Sequence, residues 1–478
     1  MSLADPALFT FPLLLIAGLL ALAAVTYIVR GWDRIVALVA ALVTGALAYL
    51  IWQIDLAEPV LTLPLLNRPL DVSAPFERLG FGLALQQSSA PILAGSLALA
   101  AVAFLLAARV SQGHTFVPLS LALLAGYATM LLTVAGPLPP LLIAPLFLIG
   151  LACLSAFILQ AGRLEHPAGP LRMLVPPVLA FPLFLIAAWY LEQLPLNPQD
   201  QAATQAAVQL LSLGLLLLMA PVPLHSFQPA AMQSAPPVVA ALVLLLYQIA
   251  VIHLYFQLAT TYAGSMDFTS LLTWFSVAGV VTAVWGGLAA AGTNHAGRLW
   301  GYAALHDWGL LMMILAIPGA STLPLVLFYL TLRAISMMSA AAGLSVLEQH
   351  VGGMEPRRLA GAGTRLPWNS AVLLLGGLGL AGFPLSAGFT GHWAAIQAIA
   401  LNDWRPAVAV LLASGGAIFG FIRLARLLFG PLENRAIRRE RPLSTAVAVL
   451  ALVLAVSLAI APQLLDAPIT RALLAFGG

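Results

Sequence analysis

Long apolar runs follow one another along this chain, separated by short breaks rich in arginine, proline, glycine or aspartate. Most runs have the length, about 20 residues, at which an α-helix crosses a hydrocarbon layer. The pattern predicts about fourteen spans, near 8–29, 34–54, 89–109, 116–135, 138–161, 174–194, 204–221, 235–258, 268–291, 298–317, 322–346, 370–402, 405–429 and 443–462. Segment 55–88 departs from it. There Val60 to Leu65 and Phe76 to Leu85 are short apolar pieces around a Pro/Asn/Asp turn, which predict a hairpin outside the membrane. The expected fold class is all-α and integral to the membrane, a single transmembrane domain over 1–478.

Alternating the connections between two sides tests this count. One side collects Arg30, Arg34, Arg109, Arg163, Arg172, Arg298, Arg357, Arg358, Arg365, Arg423, Arg426, Arg435, Arg438, Arg439 and Arg441. The other collects Arg68, Arg78, Arg405 and Arg471, while Arg333 lies inside a span. The positive-inside rule puts the first set in the cytoplasm, with both termini and the 55–88 segment outside. Met1 to Phe11 carries no basic leader, so the first run is expected to remain as a helix. The stretch 430–478 holds an Arg-rich cytoplasmic loop and the last helix. Its Arg435–Arg441 cluster reads first as a cytoplasmic anchor and second as a docking site for a partner or anionic lipid.

Composition sharpens the class. The chain is 62% hydrophobic and 8% charged, against about 25% charged in soluble domains. The pI of 9.2 follows from membrane topology, so no nucleic-acid partner is expected. A single cysteine, Cys153, excludes an internal disulfide and any cysteine-based metal or iron–sulfur site. No cofactor motif is present, so no cofactor or metal is expected. All 20 basic residues are arginine, and arginine stays protonated where lysine can release a proton. A relay built on lysine is therefore absent.

The stretch that organises the rest is Gly376 to Trp393, Gly-Gly-Leu-Gly-Leu-Ala-Gly-Phe-Pro-Leu-Ser-Ala-Gly-Phe-Thr-Gly-His-Trp. It lies inside the long run Ser370 to Leu401, yet Pro384, Gly382 and Gly388 occupy its centre. Pro384 removes a ladder hydrogen bond and clashes with the preceding turn, so the helix is expected to break there. Broken backbone at membrane depth needs protein or a water-filled cavity around it. His392 follows the break, which reads either as part of an ion path or as a close-packing kink with a hydrogen-bonded histidine. A second interruption runs from Pro221 to Pro236 and Pro237. Paired interruptions in two halves are what inverted-repeat transporters show.

The wording of three stretches resembles the antiporter-like membrane subunits of respiratory complex I, membrane-bound hydrogenases and multisubunit cation/proton antiporters. Gly382-Phe-Pro-Leu-Ser-Ala-Gly-Phe-Thr-Gly-His392 is similar to that family's Gly-hydrophobic-Pro-Pro-x-x-Gly-Phe-x-Gly-Lys. Pro223-Leu-His-Ser-Phe-Gln-Pro-Ala-Ala-Met-Gln-Ser-Ala-Pro-Pro237 resembles Pro-Phe-His-x-Trp-x-Pro-Asp-x-x-x-x-Ala-Pro-Thr, which precedes the helix of a pumping lysine. Gly297-Arg-Leu-Trp-Gly-Tyr-Ala-Ala-Leu-His-Asp-Trp-Gly309 resembles Lys-Arg-Leu-Leu-Ala-Tyr-Ser-Ser-Ile-x-His-x-Gly. The resemblance covers roughly Pro59 to Phe429, making 89–429 the antiporter-like core. It implies a bacterial cytoplasmic-membrane protein whose partners are lipids and the other membrane subunits of a redox-driven complex.

Carried over position by position, the resemblance names relay candidates and departures together. The pumping lysine falls on Gln248, a second lysine on Gly297, a third on His392, and a glutamate on Gly150. All four departures are expected to strike the family's polar axis along the membrane midplane. His225 matches a family histidine, though it could simply cap a turn. Asp307, with His306 beside it, stands at a further histidine position. Arg333 is the one ionisable residue of Phe328 to Leu347, a helix that often holds histidine or lysine. Intramembrane charge is costly, so Asp307 and Arg333 are expected to face inward and pair. A fixed pair is preferred to a relay, because arginine does not deprotonate. His253 is expected to be a hydrogen-bonded core residue and Glu192 to be solvated. If the chain conducts, His392, with a reference pKa near 6.5, is the group that loads and releases protons. The reading is an antiporter-like subunit taking part in or supporting redox-driven proton translocation, with no redox chemistry of its own. A non-pumping scaffold in such a complex, or a cation or small-substrate carrier of the same fold, stays open.

Overall fold

Where lipid supplies no hydrogen-bond partner, an apolar run satisfies its backbone by becoming helix. The computed structural model describes residues 10–476 except 55–59, 64–67, 73–74, 79–80, 135–139, 161–167, 194–199, 263–266, 320–321 and 432–436. The first and last residues, Arg163 and Arg435 therefore lie outside the described residues. Helices take up nearly all of what is described. The first half contains α1 (Phe11–Ile28), α2 (Asp33–Gln53), α3 (Ser89–Arg109), α4 (Phe116–Leu132), α5 (Pro140–Gln160), the short α6 (Ala168–Arg172), α7 (Val175–Gln193), α8 (Gln201–Met219) and α9 (Phe227–Ser234). The second half contains α10 (Pro237–Thr261), α11 (Thr269–Gly292), α12 (Ala296–Leu315), α13 (Thr322–Val351), the short α14 (Pro356–Leu359), α15 (Pro367–Gly379), α16 (Phe389–Asn402), α17 (Trp404–Leu428), α18 (Pro442–Ile460) and α19 (Asp466–Leu474). Eleven helical segments among the described residues are long and apolar enough to cross a membrane, which makes this a multi-pass membrane protein. The 17-residue α4, the charge-bearing α12 and the half-length pair α15 and α16 lie outside that group.

The 55–88 segment does not fold as one hairpin. Val60–Leu63 pairs antiparallel with Arg68–Asp71, and Phe76–Arg78 pairs with Phe81–Leu83, which also meets Thr133–Val134 at the end of α4. The first two pairings join strands adjacent in sequence, whose short connections cost little chain entropy to close.

The core gathers around α10 and α12. Every residue of α12 except Arg298 is buried, as are 19 of the 25 residues of α10. In lipid, burial is driven by packing and not by escape from water, so close approach depends on small residues. Gly279 and Gly286 of α11 and Gly309 of α12 supply it. A Cβ on Gly279 would lie 2.8 Å from the Gly309 carbonyl oxygen, and one on Gly286 would lie 2.8 Å from the Cα of His306.

Candidate functional site

Two interruptions frame the interior. Between α8 and α10, Ala220 takes a left-handed conformation, a 3₁₀ turn at Leu224–Ser226 leads into α9, and Pro236 and Pro237 start α10 at its N-cap and first position. Proline suits that first position because its missing N–H had no intrahelical partner anyway. The second break is the one the proline and glycines predict, but it opens earlier than Pro384. Helix α15 ends at Gly379, and Pro384 sits in the following turns. The carbonyl that the Pro384 ring would crowd belongs to Leu380, four residues back, so helix cannot continue through that point. The freed backbone is taken up by the turns themselves: Ala381 and Phe383 donate to Leu378, and Gly382 donates to Gly379. Gly382, at φ +67°, faces the His392 ring, whose Cγ would be 2.7 Å from an added Cβ. The glycine makes room for the histidine.

Gln248, Asp307 and Arg333 are each the twelfth residue of their helices, α10, α12 and α13. At 1.5 Å per residue that places all three about 17 Å from a helix start, near the middle of a bilayer. They meet there. Arg333 Nη1 forms an ion pair with Asp307 Oδ2 and also donates to the Ala304 carbonyl, at 3.0 Å. Its Nε and Nη2 donate to Gln248 Oε1, at 3.1 and 3.0 Å. The planar fork of arginine makes this double contact possible. Gln248 occupies the place where the resemblance puts a pumping lysine, and a cation there would confront the guanidinium. The positive charge sits on α13 instead, with Gln248 as its acceptor.

On the other face of Asp307, the Tyr329 hydroxyl donates to Oδ1 at 2.7 Å. His392 Nε2 approaches the same oxygen at 3.5 Å and the Tyr329 hydroxyl at 3.4 Å. Its Nδ1 lies 3.1 Å from the carbonyl of Gly388, the N-cap of α16, which also accepts from the His392 backbone N–H at 3.0 Å. His306 stacks on His392 with ring centroids 6.1 Å apart, and its nitrogens contact the Ala283 carbonyl at 2.8 Å and Ser414 Oγ at 2.9 Å. All these side chains except Gln228, 3.5 Å from Gln248, come from five helices of the second half. The arrangement is one buried cation, one buried anion and two stacked imidazoles, with Tyr329 bridging Asp307 and His392. Asp307 is thereby shared, with Arg333 on one carboxylate oxygen and Tyr329 and His392 at the other.

The expected Asp307–Arg333 pair is thus present, and Gln248, His306 and His392 join it. His225 lies in the 3₁₀ turn before α9, where its Nε2 accepts from Trp285 Nε1 at 3.0 Å. No contact joins it to the cluster among the described residues. The expectation that four departures line one midplane axis needs correction. Gly150 is exposed on α5, and Gly297 is the second residue of α12, near one end of that helix. A Cβ on Gly297 would run into the Met232 carbonyl of α9, so that site is a close-packing point with no room for lysine. His253 is buried as expected, but its Nδ1 has no hydrogen-bond partner among the described residues, because it borders an apolar groove beside α3 and α13. Glu192 is exposed. Tyr329 and Ser414 escaped the sequence reading. Tyr329 stands four residues before Arg333, one turn away on the same helix face, which is a usable signal. Ser414 reaches His306 only through the packing of α17, and nothing local marks it.

Residues 184–420 match the family described as NADH:quinone oxidoreductase/Mrp antiporter, transmembrane. Among relatives, NADH-quinone oxidoreductase subunit N of a Nocardioides species is 30% identical over 236 residues, covering 47% of this chain and 44% of that protein. The subunit N of a Parafrankia species is 28% identical over 280 residues, covering 57% and 53%. The matches span about half the length of these relatives. The fold is similar to a chain of the membrane-bound sulfane sulfur reductase, an archaeal respiratory membrane complex, with TM-score 0.78, 19% identity and 96% of each chain covered. It is also similar to a chain of respiratory complex I from Thermus thermophilus, with TM-score 0.72, 17% identity, and 97% and 98% covered. A chain of the Mrp complex from a Dietzia species gives TM-score 0.69 at 17% identity, covering 98% and 96%. The segment 184–420 that matches the NADH:quinone oxidoreductase/Mrp antiporter transmembrane family contains both helix breaks and the whole buried cluster.

Proposed function

We propose that this chain is an antiporter-like membrane subunit of a complex I-type respiratory assembly, and that its protons are handled by His392 and His306. One observation carries the reading: His392, beside the broken helix, touches both Tyr329 and the Asp307 carboxylate that Arg333 holds. Protonating His392 adds a second cation to that carboxylate, weakening its hold on Arg333. Such competition is a means of coupling proton occupancy to the arrangement of α12, α13 and α16. Chemistry in other subunits would drive it, and those subunits are the proposed partners.

Counting α4, α12 and the broken pair α15–α16 beside the eleven long segments supports fourteen spans. The arginine distribution supports termini outside and the 348–369 and 430–442 loops in the cytoplasm. The breaks near Pro236–Pro237 and Gly382–Gly388 support a pair of inverted repeats.

A scaffold reading has its own support, since the arginine-centred pair is built to stay charged. Reconstituted complexes with a pH-sensitive dye inside the vesicles separate the two. His392→Gln keeps a hydrogen-bonding side chain that cannot change charge. It is expected to abolish the translocation due to this subunit while the complex still assembles, and His392→Lys to keep part of it. An unchanged proton-to-electron ratio in the Gln variant would refute the relay and leave the scaffold.

A further inference from the structure

A groove of 580 Å³ runs along the chain between α3, α10, α13 and α18, with α15 contributing at one end. Its lining extends on α3 from Ile92 to Arg109 and on α13 from Leu323 to Ala342. At 1.5 Å per residue these stretches are each about 25–29 Å long, close to the depth of a bilayer's apolar layer. The walls are mostly apolar, interrupted by Ser96, His253, Thr331, Ser339 and Asn369. At the Arg109 end the groove meets a second cavity of 470 Å³, lined by Arg34, Arg109, Arg438 and Arg441 with His350. No carboxylate is among the described residues that line this mouth. The nearby Glu440 lies outside this lining: its charge acts on Arg109, while its oxygens accept from the Asn369 backbone and side chain, both at 2.9 Å, and from Thr445 at 3.2 Å. Arg109 is held in place by Ser444, to which Nη2 donates at 2.6 Å. That leaves its remaining N–H groups for a ligand.

We infer that this groove binds one anionic glycerophospholipid, its acyl chains along α3, α13 and α18 and its phosphate among Arg34, Arg109, Arg438 and Arg441. The charge pattern selects the occupant: an apolar trough ending in four guanidinium groups matches a molecule with an apolar tail and a negative head. Phosphate oxygens suit the planar donors of arginine.

The test uses the full chain, delipidated in neutral detergent and titrated with dioleoyl phosphatidylglycerol or dioleoyl phosphatidylcholine, with bound lipid counted by native mass spectrometry. One phosphatidylglycerol is expected, preferred by about tenfold or more over phosphatidylcholine. Arg109→Gln and Arg441→Gln are each expected to weaken it about fivefold, the attraction of one basic side chain for anionic lipid at a membrane surface. Arg109→Lys should restore much of that loss, which separates lost charge from lost fold. Ala451→Phe, filling the trough, should abolish retention of both lipids, and inorganic phosphate should not compete. Equal affinity for the two lipids would overturn the inference. So would unchanged phosphatidylglycerol binding in Arg109→Gln/Arg441→Gln, or a photo-crosslinker at Val102 that captures a protein subunit of the membrane complex in place of lipid.

Discussion

Asp307→Asn tests the centre of the molecule most directly, because it changes a charge and almost no volume. The amide oxygen of the variant could still accept from Tyr329, and Arg333 would keep its contacts with Gln248 Oε1 and the Ala304 carbonyl. What disappears is the counter-ion. Arg333 is fully buried, its side chain without solvent access, and arginine cannot shed its proton to escape. Breaking a buried pair by removing one partner costs about 3–5 kcal/mol. An unfolding entropy of about 2.1 cal/mol/K per residue gives about 1 kcal/mol/K for a chain of this length. The melting temperature should therefore fall by about 3 °C or more, measured by thermal unfolding of the purified chain in detergent. Replacing both partners, Asp307→Leu with Arg333→Met, should cost much less, since no charge is left stranded. The reasoning fails if Asp307→Asn melts and assembles like the parent, or if the double variant is the worse of the two.

Gly382→Ala should destabilise by about 2 kcal/mol or more, from the left-handed backbone and the contact with the His392 ring. Adding His392→Ala should recover the steric share of that loss in the same melting assay, and a Gly382→Ala variant as stable as the parent would refute the close approach. His114, in the loop between α3 and α4, contacts Asp33 Oδ1 at 2.7 Å, and this hydrogen bond and the carboxylate's charge raise its pKa above 6.5. The contact's stabilisation is therefore fully present below the unfolded value and lost as pH rises through the folded one; an NMR titration midpoint at or below 6.5 would contradict it. Finally, single cysteines placed at Arg68 and Arg438 in a Cys153→Ser background should react with an impermeant reagent from outside at 68 and not at 438. The reverse pattern would overturn the proposed orientation.

Much of this molecule is legible along the chain because lipid enforces a local rule: each apolar run must close its own hydrogen bonds, so runs become helices and their lengths show. The breaks are equally local, since Pro384, Pro236 and Pro237 each lack a backbone N–H wherever the chain goes. Even the Asp307–Arg333 pair could be anticipated, because two opposite charges in apolar runs leave each other few alternatives. What surrounds the pair could not. Ser414 meets His306 across 108 positions, through the packing of α17 against α11 and α12. Family alignment set Gly150, Gln248, Gly297 and His392 on one axis, yet only Gln248 and His392 reach the buried cluster. A position in a motif says how far along a helix a residue lies, while helix rotation and contact decide what its side chain faces. Gly150 faces out, and Gly297 presses on the α9 backbone. Span, break and charge are properties of short stretches, so composition and order determine them; partnership is a property of surfaces brought together by packing, and only the folded chain settles it.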